Sequence, residues 1–146
     1  MRYFDTGVLL RLYLPEPRTA EAVALVNASP NLPPITLLHE LEMRSALRQK
    51  VGRGELTLTE CEVLISQMEA DLASGVHERL TAVWQDVFAT AESLSATHGV
   101  TTLCRSLDTL HVALAVELGA TEFCTFDQRQ SRMAEAAGLA VIVEAV

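Results

Sequence analysis

Apolar positions along the chain switch between helical spacing and short unbroken runs, and the switches define the predicted elements. Residues 2–5 (Arg-Tyr-Phe-Asp) predict a short strand ending at an acid. From Thr6 to Leu14 the spacing of Val8, Leu9 and Leu12 predicts a helix closed by Pro15 and Pro17. A second helix is expected over 18–28, stopped by Pro30, Pro33 and Pro34, with Ile35-Thr36 as a second short strand. Leu37 to Val51 reads as helix up to the Gly52-Arg-Gly54 breaker. The next helix is expected to open on a capping box, Thr59-x-x-Glu62, and to carry Leu64, Ile65, Met68 and Leu72 before Gly75. Residues 77–83 fit an extended edge piece.

Trp84 to His98 predicts a helix stopped by Gly99, with Trp84 in the core, and Leu107 to Leu118 an almost wholly apolar helix stopped by Gly119. Glu122 to Phe126 predicts a strand, 128–137 a helix ended by Gly138, and Ala140 to Val143 a last strand. Helices alternating with apolar strands that lack in–out alternation imply an α/β fold, a parallel sheet covered on both faces. Sites in such sheets gather at the carboxyl ends of the strands. Asp5 and Asp127 both lie just past such an end.

Composition narrows this picture without changing it. At 146 residues, 49% of them hydrophobic, the chain suits one domain with its own core, 1–146, and not disorder. There is no internal repeat, no linker composition and no apolar stretch of the ~18 residues that would span a bilayer. The opening Met-Arg-Tyr-Phe-Asp lacks the apolar region of a signal peptide. Cys61, Cys104 and Cys124 form no paired motif and read as reduced thiols of a cytoplasmic protein. His39, His77, His98 and His111 are too scattered to suggest zinc.

The net charge of −8 weighs against nucleic-acid binding taken alone. Ten of the eleven basic residues are nevertheless Arg, the side chain suited to gripping phosphate, and Arg44, Arg48, Lys50 and Arg53 cluster around one helix.

Four acids carry the candidate chemistry. Asp5 and Asp127 each precede a helix, so each also reads as an N-cap. At about 100° per residue, Glu40, Arg44 and Arg48 form a stripe suited to solvent, and Glu42 points roughly 160–200° away, among Leu38, Ser45 and Ala46. A carboxylate there calls for a partner or a metal. Asp108 sits in the first turn of the apolar helix, where Ser106 competes for the capping role. Carboxylates brought together repel unless a cation compensates, and an all-oxygen set selects Mg²⁺ or Mn²⁺. His111, three residues after Asp108, reads first as a structural histidine and second as an orienter of a carboxylate.

Tyr3-Phe4-Asp5-Thr6, Leu41-Glu42-Met43-Arg44-Ser45-Ala46-Leu47, Arg105-Ser106-Leu107-Asp108-Thr109-Leu110-His111 and Thr125-Phe126-Asp127-x-Arg129-Gln130 occur in order along the chain. Together they resemble the four acid-bearing segments of the PIN-domain ribonucleases, most closely the VapC toxins of bacterial VapBC toxin–antitoxin pairs. The resemblance runs over essentially the whole chain. It implies a PIN-like fold, a short parallel sheet of four to five strands flanked by about seven helices. It implies that Asp5, Glu42, Asp108 and Asp127 hold Mg²⁺, for which Mn²⁺ substitutes, with Asp127 either a direct ligand or one step behind the ligands, and that Thr6 supports them with its hydroxyl. It implies endonucleolytic hydrolysis of single-stranded RNA by metal-activated water, leaving a 3′-hydroxyl and a 5′-phosphate. Arg105, Arg129 and Gln130 are candidates for substrate contacts, or equally partners of the same acids when metal is absent.

The resemblance further implies a homodimer and a VapB-type antitoxin whose basic tail suits an acidic cleft. The helices over 18–28 and 59–74, with Leu64, Met68 and Leu72, would offer a groove for an antitoxin helix or else be ordinary core. Gly7 departs from the pattern, since many relatives carry Ser after Asp-Thr. Two alternatives stand beside this expectation. One is a catalytically silent PIN fold that only binds. The other is an aspartate-based phosphatase, which would need Asp-x-Asp where the chain has Asp5-Thr6-Gly7.

Overall fold

The computed structural model describes residues 1–143; the final three positions of the expected 1–146 domain lie outside the described residues. The elements run β1 (Arg2–Phe4), α1 (Thr6–Leu10), α2 (Thr19–Asn27), β2 (Pro34–Ile35), α3 (Leu37–Gly52), α4 (Leu58–Ser74), β3 (Glu78–Arg79), α5 (Trp84–Thr102), α6 (Ser106–Glu117), β4 (Glu122–Cys124), α7 (Gln128–Ala136) and β5 (Ala140–Ile142). All strand pairs are parallel, and the five strands divide into two sheets, β1-β4-β5 and β2-β3. The expected α/β fold with parallel strands and about seven helices is found, with its strands arranged as three plus two.

The strands have no polar face because both sides of the central sheet are covered. Tyr3 and Phe123, paired in register, point into an apolar cluster built with Val87, Leu114 and Met133 from α5, α6 and α7. Their neighbours Phe4 and Cys124 point the other way, into a second cluster with Val8, Leu9, Leu25, Met43 and Leu47 from α1, α2 and α3. The period of two thus sends alternate residues into two different cores. Helix α6 is buried from Thr109 to Ala115, as its continuous apolar run demands. Among the described residues no helix is long and apolar enough to cross a membrane.

Several boundaries differ from expectation for local reasons. Helix α1 stops at Leu10, four residues before the predicted end, and the chain turns from there towards Pro15. The α4 capping box uses Thr57 and Glu60 instead of Thr59 and Glu62, an equally good pattern two residues earlier. Gly99 does not end α5. The helix continues to Thr102 and is closed by Leu103 in the left-handed region at φ 56°. Gly119 and Gly138 do adopt positive φ after α6 and α7, where glycine avoids the Cβ clash. Trp84 is half-buried against the first core, Cys61 and Cys124 are buried, and none of the three cysteines is in a disulfide. Met68 is core, whereas Leu64 and Leu72 are only partly covered.

Candidate active site

The sheet order brings the end of β1 beside the end of β4, since the Asp5 N–H donates to the Cys124 carbonyl at 3.0 Å. A cleft of about 370 Å³ opens there, lined by Asp5, Thr6 and Gly7 on one side and by Phe126, Asp127 and Gln130 on the other. Helix α3 contributes Glu42, helix α6 contributes Asp108 and His111 with Arg105 at its cap, and Arg11 closes the wall. All four predicted acids therefore face one space. Among the described residues no three His, Cys, Asp or Glu side chains are gathered closely enough to hold a metal as they stand.

Asp5 is the most constrained. Its Oδ1 accepts the Val8 N–H at 2.7 Å, the N-cap bond of α1, and its Oδ2 accepts the Thr125 hydroxyl at 2.6 Å. Burial pushes its carboxyl upward, and the bonds from Thr125 and Val8 and the charges of His111 and Arg11 offset only part of that rise. No ion pair reaches it among the described residues. Asp127 is held by backbone alone: its Oδ1 accepts the N–H groups of Arg129 at 2.7 Å and Gln130 at 3.1 Å. The N-cap reading and the cleft reading are both realised, because a carboxylate has two oxygens.

Glu42 is fastened by side chains. Thr6 donates to its Oε2 at 2.6 Å, and His111 Nε2 makes a short contact with the same oxygen. His111 Nδ1 lies 2.8 Å from the Tyr3 hydroxyl. Nε2–H points at Glu42 in either protonation state, while Nδ1 accepts from the Tyr3 hydroxyl when the imidazole is neutral and donates to its oxygen when it is charged. Burial favours the neutral acid, but the hydrogen bonds and charge of His111, with Thr6, win and hold Glu42 below its ordinary range. Both readings of His111 fit: it is a buried histidine with both ring nitrogens bonded, and it joins the core residue Tyr3 to a cleft carboxylate.

The α3 stripe also needs correction. Glu40, expected in solvent, is only 7% exposed and pairs with Arg79 of β3 at 2.7 Å and Arg44 at 3.6 Å. Glu42, on the opposite side, keeps 22% of its side chain accessible because it faces the cleft. The basic cluster of that helix is absent from the cleft: Arg44 meets Glu69, Lys50 meets Glu16 and Glu55, and Arg53 meets Glu55.

Asp108 pairs with Arg105 at 2.9 Å one turn away, and Ser106 takes no capping role. Gln130 is buried, its Nε2 donates to the Asp108 carbonyl at 3.2 Å, and its Oε1 has no partner among the described residues. Arg129 presents its backbone N–H to Asp127, and its side chain does not line the cleft. Arg11 and Phe126 were missed from sequence. A sharper signal for Arg11 was available, since it follows Gly7 by four residues and so shares a helical face with the Asp-Thr-Gly turn.

The family model for the PIN domain matches residues 2–136 of the chain. Among solved structures the chain is similar to the crystal structure of FitAcB from Neisseria gonorrhoeae, with a TM-score of 0.69 at 19% identity, covering 98% of this chain and 97% of that one. It is also similar to FitAB bound to an IR36 DNA fragment, with a TM-score of 0.68 at 21% identity over 97% of this chain and 94% of that one. At such identities the likeness speaks for the fold. No curated protein sequence gives a match.

Proposed function

Since the chain belongs to the PIN-domain family, we propose that its acid-lined cleft is the centre of a Mg²⁺-dependent endoribonuclease, a VapC-type toxin held in check by a VapB-type antitoxin. The observation that carries this is the convergence of Asp5, Glu42, Asp108 and Asp127 on one cleft. The donor chemistry fits a hard cation: the set is all oxygen, and Glu42 Oε1, Asp108 Oδ1 and Asp127 Oδ2 accept no hydrogen bond among the described residues. The buried Asp5 lacks an ion-pair partner, which a cation in the cleft would supply. Gly7 does not spoil the fit, since a Cβ there would meet Asp5 and Arg11 only at ordinary contact distances of 3.5–3.6 Å.

These four acids would hold the ion, which when bound supplies charge neutralisation for a phosphodiester and acidifies a water. The chain's own residues orient the acids. Val8 N–H and Thr125 fix Asp5, Thr6 and His111 turn Glu42, and Asp127 is aimed by two backbone donors. Arg105 occupies Asp108 and competes with a cation for it. Once released it stands as a candidate contact for RNA, with the buried Gln130 and the Arg129 side chain, which lies off the cleft lining, as less direct candidates. The family's nuclease character supports hydrolysis, and the likeness to FitAcB and FitAB supports a protein partner. A homodimer and a cytoplasmic location, with all of 1–146 as one domain, complete the assignment.

Incubation of a labelled single-stranded RNA with the purified protein tests it. Cleavage that requires Mg²⁺, yields 5′-phosphate ends and vanishes in Asp5→Asn is expected. Cleavage unchanged in Asp5→Asn would overturn the site, and no cleavage by the unaltered protein would overturn the activity.

A further inference from the structure

Among the described residues Arg11 is the cleft arginine with no carboxylate at hydrogen-bond distance. Its Nη1 donates to the Gly7 carbonyl at 2.6 Å and its Nε to the Pro17 carbonyl at 2.9 Å, both neutral acceptors. The nearest carboxylate is that of Glu16, at 3.7 Å, beyond hydrogen-bond distance. Glu16 is itself taken by Lys50 at 2.7 Å. Arg105, the other basic lining residue, is 72% exposed and paired with Asp108.

The surroundings hold Arg11 still. Its guanidinium carbon lies 5.3 Å from the centre of the Phe126 ring, against which Arg18 also packs at 3.9 Å. Only 20% of its side chain is accessible. Gly7 lies between Arg11 and Asp5: a Cβ there would be in ordinary contact with Arg11 Nη1 and with both Asp5 oxygens, at 3.5–3.6 Å. A guanidinium pre-positioned by two carbonyls and an aromatic ring, facing acids across a gap, suits a tetrahedral anion bridging the two sides.

We propose that Arg11 is the phosphate-gripping residue of the cleft, binding non-bridging oxygens of the RNA backbone beside Asp5. This rests on the ribonuclease assignment above. It makes Arg11 a substrate-binding residue with no part in holding metal. A phosphodiester approaching a four-acid cleft needs such a partner, since metal offsets only part of the negative charge.

Two variants separate grip from scaffolding. Arg11→Gln keeps a donor for the Gly7 carbonyl but removes the charge, and Arg11→Lys keeps the charge but loses the second carbonyl bond. Cleavage kinetics of a single-stranded dodecaribonucleotide are measured for both, with Arg48→Ala on the exposed face of α3 as a charge control expected to match the unaltered protein. The grip requires Arg11→Gln to lower kcat/KM about tenfold or more, mostly through KM, with Arg11→Lys retaining the larger share. The reverse ranking, or Arg11→Gln within about twofold of the unaltered protein, would overturn it.

A second arm does not depend on turnover. Anisotropy of the fluorescein-labelled oligonucleotide in the Asp5→Asn background should show Arg11→Gln weakening binding and flattening the log–log salt dependence by about 0.7, one phosphate on a single strand. An unchanged slope and affinity would equally overturn the grip. Absence of cleavage by the unaltered protein would instead strike the ribonuclease assignment, and the anisotropy arm would still decide Arg11.

Discussion

Asp5 and Asp127 stand at the ends of strands, Glu42 and Asp108 on helices, and the two pairs are fastened by different chemistry. The strand-end acids accept bonds from neutral donors: the N–H groups of Val8, Arg129 and Gln130, and the Thr125 hydroxyl. The helix acids are held by His111, Thr6 and Arg105, side chains that can rotate or exchange partners. Strand ends follow from sheet register, so their acids are set once the fold is. Helix acids depend on side-chain partners, Glu42 on Thr6 and His111 from other elements and Asp108 on Arg105 one turn away, and can yield to an incoming cation. The cleft therefore has a fixed half and an adjustable half.

The comparison breaks most visibly at Asp5. Asp5→Asn should cost on the order of 10²–10³-fold in RNA cleavage, the scale of losing a preorganised group at developing charge. The amide retains an oxygen for Val8 N–H and relieves a buried charge, so thermal stability should hold or rise slightly. A large fall in melting temperature would show that the carboxylate fastens the fold itself.

The same contrast extends to the braces behind the acids. His39 is buried, accepts the Thr36 N–H on Nδ1 and gives its Nε2 proton to the Phe4 carbonyl, one residue before Asp5. Burial, reinforced by the charges of His111 and His77, pushes its pKa down to about 3. The unfolded chain protonates that histidine near pH 6.5, so between 6.5 and 3 the unfolded state binds the extra proton and stability falls as pH falls. His77, also lowered by burial, adds in the same direction, and Asp5, raised by burial, opposes it. The loss should reach about 2–4 kcal/mol by pH 4, read from denaturant melts across the range. His39→Gln should flatten this limb. An unchanged slope would assign it to the other groups held low in the fold, His77 and Glu42.

On the adjustable side the brace is His111. His111→Ala strands the Tyr3 hydroxyl in the core and frees Glu42. Weakened Mg²⁺ binding by about 10–100-fold is expected from calorimetric titration, since such partners orient the ligating groups. His111→Gln can still donate to Glu42 and should recover part of it. Equal loss in both variants would make His111 a packing residue only.

How far the sequence carries follows from the same division. Asp5 and Asp127 were legible because a strand ending in an acid before a helix is a local pattern, and register then brings the two ends together. Glu42 was found through helical phase, but the burial of Glu40, expected in solvent, was not legible. Arg79 lies 39 residues away on the short strand β3, and only the β2-β3 pairing brings it over that face. The division into two sheets was hidden for a related reason: two-residue strands carry almost no pattern of their own. Gly99 misled because an isolated glycine is tolerated inside a helix when packing supports both sides. Arg11 escaped because it lay inside the helix expected to run to Leu14, and nothing in that segment says that it meets Phe126 and Asp127 at the cleft wall.

The smallest effect is the sharpest test of adjustability. Arg105 is largely exposed, so its bond to Asp108 adds little to the fold, and Arg105→Ala should change unfolding free energy by less than about 0.5 kcal/mol. It also removes a cation that competes for the Asp108 carboxylate, so Mg²⁺ should bind about two- to fivefold tighter at low salt, and the difference should fade as salt screens it. RNA cleavage should move the other way, through KM, if the released guanidinium serves the phosphate backbone. Tighter metal with weaker substrate would establish Arg105 as a partner that Asp108 gives up on loading. Weaker metal in Arg105→Ala would mean that Arg105 aims Asp108 at the ion, and the helix half of the cleft would then be as fixed as the strand half.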